Sequence, residues 1–347
     1  MSIRIIHVGL GGWGGDWART AIPAVPSLEV AALADPSAET LESVRTHLGL
    51  PPEAAFPSLT EALAAVEADA VVITAPAVTH APLALEALEA GKHVIVEKPF
   101  ASSIEEALTV ARRAQELGLV LQVSQNYRNY PAPKAVQALL AEGALGELSA
   151  ISIDFRQWDN DAPFEDRPHY RFPHPLLQDM AIHHFDLLRK VTGQEAVRVY
   201  TAVKDPSFSK YVQEASAVMT IEMADGLLVS YRGSWISRGP VTPWAGQWRI
   251  DGELGEIEFT SRGGGTMAES VQADRVRLRR PQADPVDLEL EPMDLVGRSA
   301  GLAIFVDAIE QGTVPETAGH ANLGSLALME AATRSARTGV VEEVRLP

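Results

Sequence analysis

Three short segments hold side chains whose types and spacing can do chemistry. The first is Gly9-Leu10-Gly11-Gly12-Trp13-Gly14, a G-x-G-x-x-G arrangement directly after an apolar run. The first glycine of such a loop permits a tight turn, the second lets backbone approach a pyrophosphate, and the third lets a helix pack closely on a strand. A helix beginning there also turns free N–H groups and a partial positive charge toward phosphate. Gly9, Gly11, Gly12, Trp13 and Gly14 are therefore candidate dinucleotide contacts. Asp35 lies 21 residues past Gly14, at the end of the second apolar run. A carboxylate there accepts hydrogen bonds from the adenosine ribose hydroxyls and repels a 2′-phosphate. Pro36, Ser37 and Ala38 follow without a basic side chain, so NAD is expected ahead of NADP.

The second segment is Glu97-Lys98-Pro99, at the end of the fourth apolar run. Open α/β sheets bind ligands at the carboxyl ends of their strands. A lysine there can hydrogen-bond a substrate hydroxyl and stabilise developing alkoxide. The third segment runs from Asp179 to Asp186 and contains His183 and His184. On one helix Asp179 and His183 are i, i+4 and share a face. His184 points away, among Met180, Leu187 and Val191, which suits a packing or structural role. An imidazole beside a carboxylate is oriented and is favoured in its protonated form, as proton transfer in alcohol oxidation requires.

These segments need a scaffold that brings strand ends and helix starts together. Residues 1–125 alternate short apolar runs (3–8, 28–34, 70–74, 93–96, 119–123) with helical patterns, as a parallel sheet buried on both faces requires. A capping box at Ser103 and Glu106 opens one helix, and Gly91 closes another. From residue 126 the pattern changes. Strand-like runs follow at 149–155, 197–203, 215–223, 227–235, 247–251 and 256–260, with helices near 132–141, 177–191, 300–311 and 323–338. The expected fold is α/β: an N-terminal Rossmann domain over 1–125, then an α+β domain over 126–347 with a large, mostly antiparallel open sheet. The second domain is expected to bind substrate and to form the oligomer contacts.

Composition narrows the function classes. The chain of 347 residues carries 46 acidic and 29 basic residues, a formal net charge of −17. Such a chain repels nucleic acid and anionic membranes unless it has a basic patch. Its one basic cluster, Arg275, Arg277, Arg279 and Arg280, alternates with Val276 and Leu278 and reads as a strand with a solvated face. There is no cysteine, which excludes disulfides, thiolate catalysis and cysteine-bound metal and fits a cytoplasmic location. No apolar run is long enough to span a membrane, and the N-terminus does not read as a signal peptide.

The glycine loop, Thr74-Ala75-Pro76, His80, the run Ala90 to Pro99, Asn126-Tyr127-Arg128, Gly143 to Glu147, the Asp179…His183 helix and the Ser335 to Gly339 helix end occur in this order. Together they resemble the Gfo/Idh/MocA family, of glucose–fructose oxidoreductase and inositol dehydrogenase type, over essentially the whole chain. The resemblance implies hydride transfer between NAD(P) and a sugar, inositol or related polyol, without a metal. It places Lys98, Asp179 and His183 as the catalytic set: His183 as general acid/base, Asp179 orienting it, and Lys98 on the reacting oxygen. In some members lysine is itself the proton relay, so the roles of Lys98 and His183 stay interchangeable. Ala75, Pro76, His80, Glu97, Asn126 and Arg128 are expected at the dinucleotide, its nicotinamide end in the cleft between the domains. Arg156, Trp158, His169 and Tyr170 are candidate substrate contacts, supplying hydrogen bonds and stacking faces for a sugar.

One departure from the family pattern is His174-Pro175-Leu176-Leu177-Gln178, where members often have a glycine-rich stretch. Residue types alone also permit a metal site from His169, His174, Asp179 and His183. Two other functional classes stay open: a dinucleotide-binding sugar sensor without turnover, and an NAD-assisted glycosidase or lyase that oxidises its sugar transiently. An exposed sheet face usually needs covering, so a homodimer or homotetramer is expected.

Overall fold

The computed structural model describes residues 2–346. They divide into two compact units. The first takes the chain as far as Asn126 together with Arg298–Leu323, and the second takes Tyr127–Gly297 together with Gly324–Leu346.

The first unit is built on six strands: β1 (Ile3–Val8), β2 (Leu28–Ala34), β3 (Ala55–Phe56), β4 (Ala70–Ile73), β5 (His93–Glu97) and β6 (Leu121–Ser124). All pair in parallel, in the order β3-β2-β1-β4-β5-β6. That is the doubly wound dinucleotide-binding order, whose direction reverses between β1 and β4. Every residue of β4 is buried, which is why its sequence runs apolar without alternation; β6 is buried throughout as well, although Gln122 and Ser124 are polar. Helices α1 (Gly12–Asp16), α2 (Ala38–Leu48), α3 (Leu59–Ala65), α4 (His80–Glu89) and α5 (Ile104–Leu117) connect the strands. The Ser103 hydroxyl accepts the Glu106 N–H at 3.2 Å, as expected. The return bond differs: Glu106 accepts from the N–H of Ser102 at 3.0 Å, one residue earlier than a capping box would have it. Two-residue β3 is too short to leave a periodic signal in sequence.

The first break falls where it was expected, after Asn126, but Arg298–Leu323 returns to the first unit, so the second unit is not continuous over 126–347. The cause of that return lies at the edge strand β6. The Val123 N–H donates to Thr317 O at 2.8 Å, and the Gln122 side-chain amide donates to Gly301 O at 2.8 Å. Ser299 Oγ donates to Ala21 O at 3.3 Å. These bonds satisfy buried polar groups that the local sequence cannot satisfy.

The second unit holds nine strands: β7 (Leu148–Arg156), β8 (Ala196–Val203), β9 (Ser216–Met223), β10 (Leu228–Ser234), β11 (Gln247–Gly252), β12 (Gly255–Thr260), β13 (Arg275–Arg279), β14 (Val286–Asp287) and β15 (Glu342–Glu343). Their order is β14-β13-β12-β11-β7-β10-β9-β8-β15. Only β7 and β10 pair in parallel; every other neighbouring pair is antiparallel. Burial alternates along β9 and β10, so one face of the sheet packs and the other is exposed. Helices α6 (Pro131–Ala141), α7 (Ile182–Thr192) and α8 (Met267–Val271) belong to this unit. Helix α9 spans Gly297–Gln311 and α10 spans Gly319–Thr338.

The helix expected over 177–191 is two elements. Pro175–Ala181 forms a π-helical segment, and α7 follows from Ile182. His174 enters it in the left-handed region, at φ 42°. Tertiary contacts hold that corner: the His174 N–H donates to Gln213 Oε1 at 2.7 Å, and its Nδ1 lies 2.5 Å from Glu214 Oε1. In the core beside α7, Arg128 makes a two-pronged pair with Asp186, which also accepts from Ser325 Oγ at 3.0 Å.

Two imidazoles are fully buried. His7 on β1 contacts the Thr74 hydroxyl through Nε2 at 2.8 Å, and burial lowers its pKa to about 3. His184 lies 3.1 Å from the Tyr231 hydroxyl and 3.0 Å from Trp244 O, and burial lowers its pKa to about 4. Both are neutral when folded and bind a proton when unfolded below pH ~6.5. Their stabilisation is therefore present above that pH and is lost as pH falls toward 4, by up to about 1.4 kcal/mol per pH unit for each histidine. Urea unfolding between pH 7 and 4.5 is expected to show the midpoint falling on acidification, and falling less steeply in His7→Asn.

Candidate active site

The dinucleotide half of the chemistry is built in the first unit. Gly9 has φ +84°, and a Cβ added there would lie 2.3 Å from the Ala75 Cα. The Thr74 hydroxyl donates to Gly9 O at 2.6 Å. A Cβ on Gly14 would lie 1.8 Å from that same carbonyl oxygen. Gly9 and Gly14 are thus required by close packing within the loop. Gly11 and Gly12 differ: they are exposed, and a Cβ on either would meet nothing within 4 Å. That open backbone at a helix start fits a pyrophosphate. A cavity of about 370 Å³ opens beside it, lined by Gly11, Gly12, Arg19, Thr40 and Ser43 among others. Asp35 accepts the Leu10 N–H at 2.7 Å and the Ser37 N–H at 2.9 Å. Its carboxylate therefore ties the glycine loop to the start of α2, whatever it does for a ribose.

Glu97, at the end of β5, is a buried carboxylate with uncommon donors. Its Oε1 accepts the indole N–H of Trp13 at 2.9 Å and of Trp17 at 3.0 Å. Its Oε2 accepts the backbone N–H of Lys98 at 3.1 Å. The Arg298 guanidinium lies 4.3 Å from the Trp13 ring centre and 2.5 Å from Asp16. Glu97 thus joins the glycine loop to the backbone that presents Lys98, whose side chain is half-buried. His80, expected near the cofactor, is a brace. Its Nδ1 lies 2.8 Å from Pro99 O and its Nε2 2.7 Å from Ala75 O. Burial lowers its pKa against the pull of those carbonyls and of Glu97. Pro76 is exposed beside Ala75, and Asn126 is buried at the end of the unit.

The residues expected to do acid–base work lie in the second unit. The His183 ring stacks on Tyr127 with centroids 3.9 Å apart and planes within 1°. Arg262 covers Tyr127 at 4.4 Å from its ring centre and donates to its hydroxyl at 3.0 Å. The ring plane of His183 is therefore fixed by packing. Asp179 sits in the π-helical segment, with Oδ2 3.3 Å from His169 Nε2. The other nitrogen of His169 lies 3.1 Å from Asp159 Oδ2. Burial opposes charge on Asp159, but hydrogen bonds from His169, Arg167 and Tyr211 outweigh it and hold its pKa below the usual carboxylate range.

Several residues expected at the site are committed elsewhere. The Arg128 guanidinium, expected near the dinucleotide, pairs with Asp186. Arg156 pairs with Asp154 at 2.6 Å and donates to Pro240 O at 3.0 Å. The Trp158 N–H donates to Asp161 at 2.7 Å, and Arg238 covers one ring face at 3.8 Å. Tyr170 is completely buried, against Tyr211 and Phe164, so it offers a sugar no stacking face. Among the described residues no three His, Asp or Glu side chains are grouped to hold a metal ion, and His174 is turned to Glu214 instead. Trp17 and Arg298 belong to none of the sequence motifs. Trp17 lies at i+4 from Trp13, a usable hint, but its partner Glu97 is 80 residues away.

Gly9→Ala is expected to displace the loop at a cost of ~1–3 kcal/mol. NADH affinity, read by fluorescence titration, should fall about tenfold or more.

Two family models match the chain. The oxidoreductase family's NAD-binding Rossmann fold matches residues 3–125, and the GFO/IDH/MocA C-terminal domain matches residues 134–258. A UDP-N-acetylglucosamine 3-dehydrogenase of Acidithiobacillus ferrooxidans is 30% identical over 75% of this chain and 79% of its own. A 1,5-anhydro-D-fructose reductase of Ensifer adhaerens is 26% identical over 95% of each chain. The crystal structure of an oxidoreductase from Agrobacterium radiobacter, in complex with NAD+, L-tartaric acid and magnesium, shares the fold with a TM-score of 0.84 at 22% identity, covering 99% of each chain. The chain belongs to the Gfo/Idh/MocA family of oxidoreductases, with its NAD-binding Rossmann domain followed by that family's C-terminal domain.

Proposed function

We propose that this chain transfers a hydride between NAD(P), with NAD preferred, and a hydroxyl or keto carbon of a sugar, inositol or related polyol. The observation that carries the reading is the joint presence of an open glycine loop and a His183 ring oriented on Tyr127, four residues past Asp179, in a chain matched by both family domains. The bound dinucleotide supplies the hydride acceptor for oxidation, or the donor for reduction. Lys98 donates a hydrogen bond to the reacting oxygen and stabilises its alkoxide character. His183 takes the hydroxyl proton at a ring nitrogen, and returns it in the reductive direction. Asp179 favours the protonated imidazole and orients it. The stack on Tyr127 removes rotational freedom from the His183 ring.

Relatives named for a sugar-nucleotide dehydrogenase and an anhydrosugar reductase support a ring carbon bearing oxygen as the reacting centre. The Asp35 carboxylate, with no cation in the residues that follow, supports NAD over NADP. A homodimer or homotetramer is proposed on the outer face of the nine-stranded sheet, where Tyr200, Val218 and Leu228 are exposed.

A panel of sugars, inositols and polyols assayed for NADH absorbance tests the reading. Net reduction of NAD by at least one polyol is the expected result. NADH binding without any turnover would favour a sensor, and leaving-group release without net NADH would favour the lyase reading. Lys98→Met and His183→Ala are each expected to lower kcat by ~100-fold or more with NADH affinity nearly unchanged. Asp35→Asn is expected to raise the NADP-to-NAD ratio of kcat/KM by about tenfold, or ~1.4 kcal/mol; an unchanged ratio would show that Asp35 does not read the ribose.

A further inference from the structure

We propose that His169 is a positioning residue: bridged between Asp159 and Asp179, it holds Asp179 ionised and in one orientation, and acts on the reaction through Asp179 without touching substrate. The inference rests on the assignment of Asp179 made above.

Both ring nitrogens of His169 face carboxylates, Nδ1 to Asp159 at 3.1 Å and Nε2 to Asp179 at 3.3 Å. A neutral imidazole has one N–H and would turn a lone pair on one of the two anions. An imidazolium donates to both. The charged and titratable groups around the ring are Asp159, Asp179, Arg167 and Tyr211, and Tyr211 also reaches Nδ1 at 3.1 Å. With Arg167 on Asp159, an imidazolium adds a second cation beside the two carboxylates. Burial alone would lower the His169 pKa, but its hydrogen bonds and charge contacts with Asp159 and Asp179 outweigh burial and raise it.

The imidazole is itself held in place from the side of Asp159. Asp159 is fixed by Arg167 at 2.8 Å and by the Tyr211 hydroxyl at 2.8 Å. Phe172, Tyr211 and Trp235 stand nearly perpendicular to the His169 ring, with centroids 5.1, 5.4 and 4.8 Å away. These rings leave the imidazole one orientation. Asp179 is the more exposed carboxylate, and it rides on the π-helical segment rather than on α7. A substrate contact would need a free ring nitrogen or a free ring face. The Nδ1 of His169 is taken by Asp159, and its Nε2 is buried and faces Asp179 at 3.3 Å, so neither nitrogen opens to a ligand.

The test uses the full chain with His169→Phe, His169→Gln and Asp179→Asn, scored by kcat, KM and NADH affinity across pH. His169→Phe should lower kcat by ~10–100-fold, with KM and NADH affinity within about twofold of wild type. His169→Gln, whose amide can still donate to Asp179, should recover about tenfold of that loss. The alkaline limb of the wild-type kcat profile should flatten in His169→Gln, because no proton is left to lose there. A rise in KM at unchanged kcat would overturn the proposal in favour of a substrate contact. Wild-type kinetics in His169→Phe, or Gln no better than Phe, would overturn it outright. If Asp179→Asn turns over like wild type, the assignment of Asp179 fails. If Asp179→Asn is impaired while both His169 variants are normal, only the present inference fails.

Discussion

Between β1 and β4 the strand order of the first sheet reverses, and the loops leaving those strands must pass with no room for a side chain between them. Gly9 lies against the backbone of Ala75 so closely that a single methyl group would sit 2.3 Å from its Cα. The rest of the dinucleotide half is arranged around that contact. Thr74 donates its hydroxyl proton to the Gly9 carbonyl and contacts His7 through the same oxygen. Asp35 holds the next residue of the loop from the side of β2. With the loop pinned at Gly9 and Gly14, Gly11 and Gly12 are left open at the start of a helix, where the N–H groups point outward.

The acidic character of the chain has an internal counterpart. Carboxylates act as acceptors that join separate elements. Glu97 collects two indoles and a backbone amide, Asp35 collects two backbone amides, and Asp186 collects Arg128 and Ser325. A buried carboxylate is costly unless its lone pairs are used, and each of these has several donors. The arrangement makes the position of Lys98 depend on Trp13 and Trp17 through Glu97.

The histidines show how context separates identical side chains. His7 and His184 are dry and neutral, and His80 is held between two carbonyls. His183 lies flat on Tyr127, and His169 spans two carboxylates. Burial without an anion lowers basicity, and burial between anions raises it. These two rings have orientations set by their neighbours, an aromatic stack for His183 and two carboxylates for His169.

The resemblance to a family supplied the candidates Lys98, Asp179 and His183. Local pattern was enough to read the parallel runs 3–8, 28–34, 70–74 and 93–96, the glycine loop and the mostly antiparallel second sheet. Each rests on residues within one turn or one strand, or on motifs whose spacing is set by backbone geometry. The readings that needed tertiary structure concern partners far apart in sequence. Arg128 is drawn to Asp186, 58 residues on, and Glu97 to Trp17, 80 residues back. Arg298–Leu323 returns to complete the edge of β6. The turn bearing Asp179 is π-helical, and residues 213 and 214 hold His174 at its entrance. Hydrophobic period reports which face of an element is buried. It carries no information about which distant donor meets which acceptor, and that pairing separates a structural histidine from one that serves the site.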